Sequence, residues 1–112
     1  MTHEEFFKLH FDLCTRLQDI VRAKNTDYTC ATSDPFANFK AVEALGIATP
    51  VQGLLTRMTD KLSRAASLTS GNKPQAVLNE SLEDTLLDLA NYALLLTALI
   101  KDEKESNEKN LI

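Results

Sequence analysis

The sequence has little cysteine and no long hydrophobic run. Its two cysteines, Cys14 and Cys30, are not spaced like metal ligands and form no C-x-x-C pair, so we expect two reduced thiols in or near a core. The only long apolar stretch, from Leu94 to Ile100, is far shorter than the roughly 20 residues that a membrane-spanning helix needs. The first residues do not combine a basic segment with an apolar one. We therefore expect a cytoplasmic protein with no membrane partner.

The chain also has no excess of basic residues. Twelve Lys and Arg against 16 Asp and Glu give a formal net charge of −4. Binding to nucleic acid backbones depends on basic residues that displace counterions from phosphates, so we expect no nucleic acid polymer as a partner. A small phosphate ligand held by a few local cations is compatible with this balance. The length of 112 residues, with 44% hydrophobic and 25% charged residues, fits one ordinary globular domain.

Apolar periodicity and capping signals predict four helices, with no repeats and no strands. Thr2 and Glu5 have capping-box spacing ahead of a first amphipathic helix. Asp34-Pro35 and Thr49-Pro50 each combine a capping residue with a proline at the first helical position, and Asn79 is a capping residue for the last helix. The predicted helices cover approximately residues 3–23, 34–45, 50–69 and 79–102.

The later half of the last predicted helix is apolar nearly all round. A helix of this kind has to be covered on more than one side, so it is either central to a bundle or shared with another subunit. We therefore predict a small all-α helical bundle of about four helices that is completed by homo-oligomerisation. Residues 1–104 are predicted to form a single helical domain, and residues 105–112 a flexible charged tail.

One face of the last helix carries an acidic stripe, formed by Glu80, Asp84 and Asp88. At 100° per residue these positions drift by only about 40° per step, and Asn91 falls within the same stripe. Like charges at i and i+4 repel, so a partner is expected, either a set of basic side chains or Mg²⁺, which prefers carboxylate and phosphate oxygens. The alternative is a solvated helix face without a ligand.

The third helix offers the complementary charges in a cation row formed by Arg57, Lys61 and Arg64. These side chains lie within about 60° of one another, and Asp60 flanks them. The row is suited to hold a triphosphate, and it is equally suited to neutralise the acidic stripe across an interhelical contact. The sequence leaves both alternatives open.

Aromatic and amide side chains are concentrated between the first and second helices. The rings of Tyr28, Phe36 or Phe39 are candidates to stack on a base. Polar groups that could read the edge of that base are Asn25, Asp27 and Asn38. In the alternative, Phe36 and Phe39 only anchor the short helix to the core. His3 and His10 have no acidic partner in register, and we interpret both as structural.

In this order along the chain, these segments resemble the small phage-encoded proteins of the nucleotide modification associated domain 1 family, which are distant relatives of the all-α MazG-like nucleotide pyrophosphatases. The resemblance covers most of residues 24–95. The matching segments are Lys24-Asn25-Thr26-Asp27-Tyr28, Asp34-Pro35-Phe36-Ala37-Asn38-Phe39, Arg57-Met58-Thr59-Asp60-Lys61-Leu62-Ser63-Arg64 and Glu80 through Tyr92.

The resemblance implies a MazG-like fold and hydrolysis of nucleoside triphosphates to the monophosphate and pyrophosphate. In MazG-like enzymes, Mg²⁺ is held by an E-x-x-E motif on one helix and an E-x-x-D motif on the next. Here the acidic stripe represents the second motif, whereas the segment from Arg57 to Arg64, with the single acid Asp60, stands in place of the first.

These comparisons of motifs assign a role to each candidate residue. The expected metal ligands are Asp60, Glu80, Asp84 and Asp88, of which Asp84 and Asp88 are the expected catalytic acids. The expected phosphate-binding residues are Lys24, Arg57, Lys61 and Arg64. The expected base- and sugar-binding residues are Asn25, Asp27, Tyr28, Asn38, Phe39 and Asn91. Two alternatives use the same residues without catalysis: a phage protein that sequesters a nucleotide signal of host immunity, and a structural helical oligomer.

Overall fold

The computed structural model describes residues 1–29, 34–71 and 75–110, and it leaves the side chains of residues 26–29, 75–80 and 110 undescribed. Within this part of the chain there are four α-helices and no strand, which confirms the all-α prediction. The helices are α1 (His3–Thr29), α2 (Ala37–Ala44), α3 (Pro50–Thr69) and α4 (Gln75–Asn110). The chain divides into two compact units, Met1–Pro35 and Phe36–Ile112.

The first unit consists of α1 and the residues that follow it. The predicted capping box is present: the Thr2 amide donates to Glu5 Oε2 at 2.7 Å, and the Glu5 amide donates to Thr2 Oγ1 at 3.1 Å. The helix extends beyond its predicted end and includes residues 24–29, which the sequence analysis assigned to a loop. Cys14 is exposed, so its expected place in or near a core is wrong, and Cys30 lies outside the described residues.

The second helix begins later than predicted. The predicted start at Asp34-Pro35 is wrong, because α2 begins at Ala37 and the carbonyl of Phe36 accepts the amides of Phe39 and Lys40, both at 3.0 Å. The buried ring of Phe36 fixes this start, a tertiary effect that the local capping signal does not contain. The helix ends at Ala44, and Gly46, two residues later, has a φ of +72°, a left-handed conformation that favours glycine.

The third helix begins where the sequence predicts. Thr49 Oγ1 accepts the Gln52 amide, the Gln52 side chain accepts the Thr49 amide, both at 3.1 Å, and Pro50 occupies the first turn. Leu54, Ala65 and Leu68 are buried. Because α3 packs along α4 and α2 packs against α3, this helix is the centre of the second unit.

The fourth helix is longer than predicted at both ends. It begins at Gln75 rather than near Asn79, and it continues past Asp102 to Asn110. The single domain over residues 1–104 and the flexibility of residues 105–112 stay predictions. No helix among the described residues has the length and apolar character to cross a bilayer.

The core of the second unit lies where its three helices meet. Phe36, Phe39, Leu54 and Leu99 form the buried cluster, and Leu54 and Leu99 are fully buried. Val51, Tyr92, Leu95 and Leu96 pack against it as partly buried neighbours. The later half of α4 also keeps exposed apolar side chains at Leu94 and Ile100. Homo-oligomerisation, expected from this half of the helix, stays a prediction.

Candidate functional site

The cation row lies along α3, and each of its three side chains contacts a different kind of neighbour. The first contact is a cation–π interaction, in which the guanidinium carbon of Arg57 lies 5.3 Å from the centre of the Phe39 ring. Phe39 is buried, so the ring is a fixed support for an exposed guanidinium group. The contact joins α3 to α2 and fixes the position of the Arg57 guanidinium group.

An ion pair between α3 and α4 lies at the middle of the row. Lys61 Nζ is 3.0 Å from Asp88 Oδ2, and the side chains of the two residues are 29% and 19% exposed. This partial burial distinguishes the pair from that between Lys40 and Asp102, which is 3.8 Å long with both side chains more than 40% exposed. The Lys61–Asp88 contact is the neutralising interaction that the sequence left open as one of two alternatives.

The third contact is a hydrogen bond from Arg64 to Thr85. Arg64 Nε donates to Thr85 Oγ1 at 3.2 Å, and the Thr85 hydroxyl donates to the carbonyl of Ser81 at 2.8 Å. Thr85 is 3% exposed, whereas Arg64 is exposed. Because the Thr85 hydroxyl proton is donated to Ser81 within α4, the Thr85 oxygen can accept the hydrogen bond from Arg64. This bond holds the Arg64 guanidinium group at the contact between α3 and α4.

The acidic side chains are more dispersed than the cations. Asp84 and Asp60 are exposed, Asp88 pairs with Lys61, and the Glu80 side chain lies outside the described residues. In the part of the chain that the structure describes, no group of three or more His, Cys, Asp or Glu side chains is arranged to hold a metal ion. Asp88 is the carboxylate that pairs with the cation row, and the exposed Asp84 lies one turn before it on α4.

The residues expected to contact a base or sugar fall into two groups. Asn38, Phe39 and Asn91 belong to the second unit, where Asn38 is half-buried and the other two are buried. Phe39 anchors α2 under Arg57, so the geometry favours the anchoring alternative over stacking on a base.

The remaining candidates belong to the first unit. Lys24 is exposed near the end of α1, and Asn25 Nδ2 donates to the carbonyl of Pro35 at 3.1 Å. The side chains of Asp27 and Tyr28 lie outside the described residues. Their expected roles, together with that of Lys24 in binding phosphate, stay predictions.

Thr85 is the residue that the sequence analysis missed. It is a buried polar residue of α4, between the exposed residues Asp84 and Leu86. A buried hydroxyl group needs a hydrogen-bond partner, and this requirement is the signal that could have indicated a contact at Thr85. The identity of the partner, Arg64, depends on the alignment of α3 with α4, which local sequence does not contain.

Three cations along α3, one of them paired with Asp88 of α4, form a surface that can hold a phosphate group. Charge-assisted hydrogen bonds from Arg and Lys are the strong contacts that phosphates receive in proteins, and fixed side chains lose less entropy when they form them.

Comparison with known proteins identifies the family. No curated protein and no solved structure matches the chain. A family model described as nucleotide modification associated domain 1 matches residues 24–101, a range that contains α2, α3, the cation row and the described acids of the site. The chain belongs to the nucleotide modification associated domain 1 family.

Proposed function

We propose that the chain binds a nucleotide through its phosphate groups at the cation row. The observation that carries this proposal is the Lys61–Asp88 pair, which is partly buried and lies between the oriented guanidinium groups of Arg57 and Arg64. A phosphate at this position would contact Lys61, and a chain of phosphates along α3 would reach Arg57 and Arg64, which are about 10 Å apart along the helix axis. The family description, which refers to nucleotides, supports the same class of ligand.

In this proposal the ion pair exchanges partners when the nucleotide binds. The incoming phosphate competes with Asp88 for Lys61, because both are anions that seek the same ammonium group. The partly buried Asp88 carboxylate then loses the ammonium group of Lys61, and a second cation beside it would compensate for that loss. Asp84 and Asp88 together would hold that cation, and Mg²⁺ fits because it typically uses one or two carboxylates with water and phosphate oxygens.

The finer proposal is a MazG-like hydrolysis of a nucleoside triphosphate. Water attacks the α-phosphorus, the bond from that phosphorus to the bridging oxygen breaks, and the products are the nucleoside monophosphate and pyrophosphate. Arg57, Lys61 and Arg64 stabilise the charge that develops on the departing pyrophosphate. Mg²⁺, when bound, lowers the pKa of the attacking water and screens the phosphate charge.

Binding without turnover is the second candidate function. It is favoured by the small number of described carboxylates at the site, since Asp88 is paired with Lys61 and Asp60 is not grouped with Asp84 and Asp88 as a metal site. A phage protein with this property would sequester a cyclic or ADP-ribose-type signal of host immunity and release it unchanged on denaturation.

One experiment separates the two candidates. The purified chain is incubated with pooled nucleotides, with and without Mg²⁺, and the bound and released species are analysed by mass spectrometry. Pyrophosphate that forms only with Mg²⁺, and no longer forms with Asp84→Asn, supports hydrolysis. A retained nucleotide that is recovered unchanged after heating supports sequestration. If the chain neither retains nor converts any nucleotide, both proposals fail.

A further inference from the structure

Arg57 differs from the other two cations of the row in the kind of group that it contacts. Lys61 pairs with a carboxylate and Arg64 donates to a hydroxyl group, whereas the Arg57 guanidinium lies over an aromatic ring. The guanidinium carbon is 5.3 Å from the centre of the Phe39 ring. In the part of the chain that the structure describes, Arg57 forms no hydrogen bond and no ion pair. Its N–H groups are therefore available to a ligand.

A guanidinium group supported in this way can stack on a nucleobase. The group is planar, and the Phe39 ring occupies one side of it, so the opposite side is available to a second flat group. Arginine planes stack on unpaired bases in nucleic-acid recognition, and such contacts accept any base because every base has a π face. The Phe39 ring is itself buried in the core, so Arg57 is the group that a base can reach.

The neighbours of the cation row differ between its two ends. The contacts between α3 and α4 show that these helices run antiparallel, since residues further along α3 meet residues earlier in α4. The register that they define places Arg57 level with Tyr92, which packs against the core cluster that contains Phe39. At the opposite end, Arg64 meets the hydroxyl group of Thr85. The row therefore has an aromatic end at Arg57 and a polar end at Arg64.

We infer that the nucleotide lies along the cation row with its base on Arg57 and its terminal phosphate towards Arg64, an inference that rests on the proposed function. The base stacks on the side of the guanidinium group opposite the Phe39 ring. The N–H groups at the edge of the same guanidinium donate to the first phosphate, and Lys61 and Arg64 contact the phosphates that follow. Because a larger base stacks more strongly, the site favours purine over pyrimidine nucleotides.

Isothermal titration calorimetry without Mg²⁺ tests the contact with the base. The ligands are ATP, UTP and ribose 5-triphosphate, which has the same triphosphate and no base. The wild-type chain is expected to bind ATP roughly tenfold more tightly than ribose 5-triphosphate, with UTP between them. Equal affinity for all three ligands would overturn the inference and leave the proposed function intact. If none of the three binds, the proposed function fails and the inference fails with it.

Two substitutions that keep the positive charge separate stacking from phosphate binding. Arg57→Lys retains a cation but not the planar group, so the preference for ATP over ribose 5-triphosphate is expected to fall by roughly fivefold, with little change for ribose 5-triphosphate. The matched control Arg64→Lys loses the bond to Thr85 and is expected to weaken both ligands equally, which preserves the preference. A preference that survives in Arg57→Lys, or that falls equally in both variants, would overturn the inference.

Phe39→Leu tests the ring that supports the guanidinium group. It keeps an apolar side chain in the core and removes the aromatic face, so Arg57 is expected to lose its fixed position and the preference for ATP to fall by roughly threefold. The titration is run at a temperature below the thermal unfolding transition of this variant. A full preference in the folded variant would show that the ring does not position Arg57 for the base.

Discussion

The hydroxyl group of Thr85 joins the two helices of the candidate site. It donates to Ser81 within α4 and accepts from Arg64 of α3. Replacing it with valine keeps the shape of the side chain and leaves the guanidinium without this acceptor. We expect Thr85→Val to lower the free energy of unfolding by about 1 kcal/mol and to weaken nucleotide binding several-fold.

Thr97→Val is the matched control, since the Thr97 hydroxyl donates to the Ala93 carbonyl in the same way but is exposed and distant from the cation row. Urea unfolding measures the stability of both variants, and equilibrium dialysis measures their nucleotide binding. Equal effects of the two substitutions on binding would show that Thr85 does not orient Arg64.

Neutralising Lys61 and neutralising Asp88 are expected to change nucleotide binding in opposite directions. Lys61→Met removes a phosphate contact, so we expect nucleotide binding to fall. Asp88→Asn removes the competitor for Lys61, so we expect nucleotide binding without metal to be maintained or strengthened while Mg²⁺-dependent turnover is lost. Titration with and without Mg²⁺ measures both effects. Loss of metal-free binding in Asp88→Asn would contradict the exchange of partners.

At the scale of the helices, two glycines are expected to respond differently to alanine. A Cβ at Gly53 would meet the Val42 side chain at 3.6–3.8 Å, which is ordinary van der Waals contact. Gly53→Ala is therefore expected to raise the free energy of unfolding by about 0.5–1 kcal/mol, because alanine favours the helix. Gly46→Ala is expected to lower it by about 1 kcal/mol, because Gly46 has a φ of +72°. Thermal unfolding measures both, and stabilisation by Gly46→Ala would contradict the assigned end of α2.

The boundaries of the helices show which signals local sequence contains. Thr49 and Gln52 form both hydrogen bonds of a capping box within a single turn, so the start of α3 could be predicted from the sequence. The start of α2 could not, because burial of Phe36 in the core sets it. The region after residue 23 lacks apolar periodicity, yet α1 continues to Thr29, since loss of an apolar face does not itself end a helix.

For the whole second unit, the sequence predicted which residues share a helix face better than it predicted their contacts. The spacing of the cations along α3 follows from helical periodicity alone, and in the structure Lys61 pairs with Asp88 and Arg64 with Thr85 of α4. Which cation meets which partner depends on the register between α3 and α4, to which side chains along both helices contribute. The sequence alone therefore could not predict that Arg57 contacts an aromatic ring, Lys61 a carboxylate and Arg64 a hydroxyl group.

Retention of nucleotides by native mass spectrometry decides whether this family member binds a nucleotide at the cation row. The wild-type chain and Lys104→Met, which removes an exposed lysine at the other end of α4, are expected to retain the same nucleotide from a pool. Lys61→Met is expected to retain about tenfold less, because it lacks one charge-assisted contact. Equal retention by all three chains, or no retention by the wild type, would contradict nucleotide binding at the cation row.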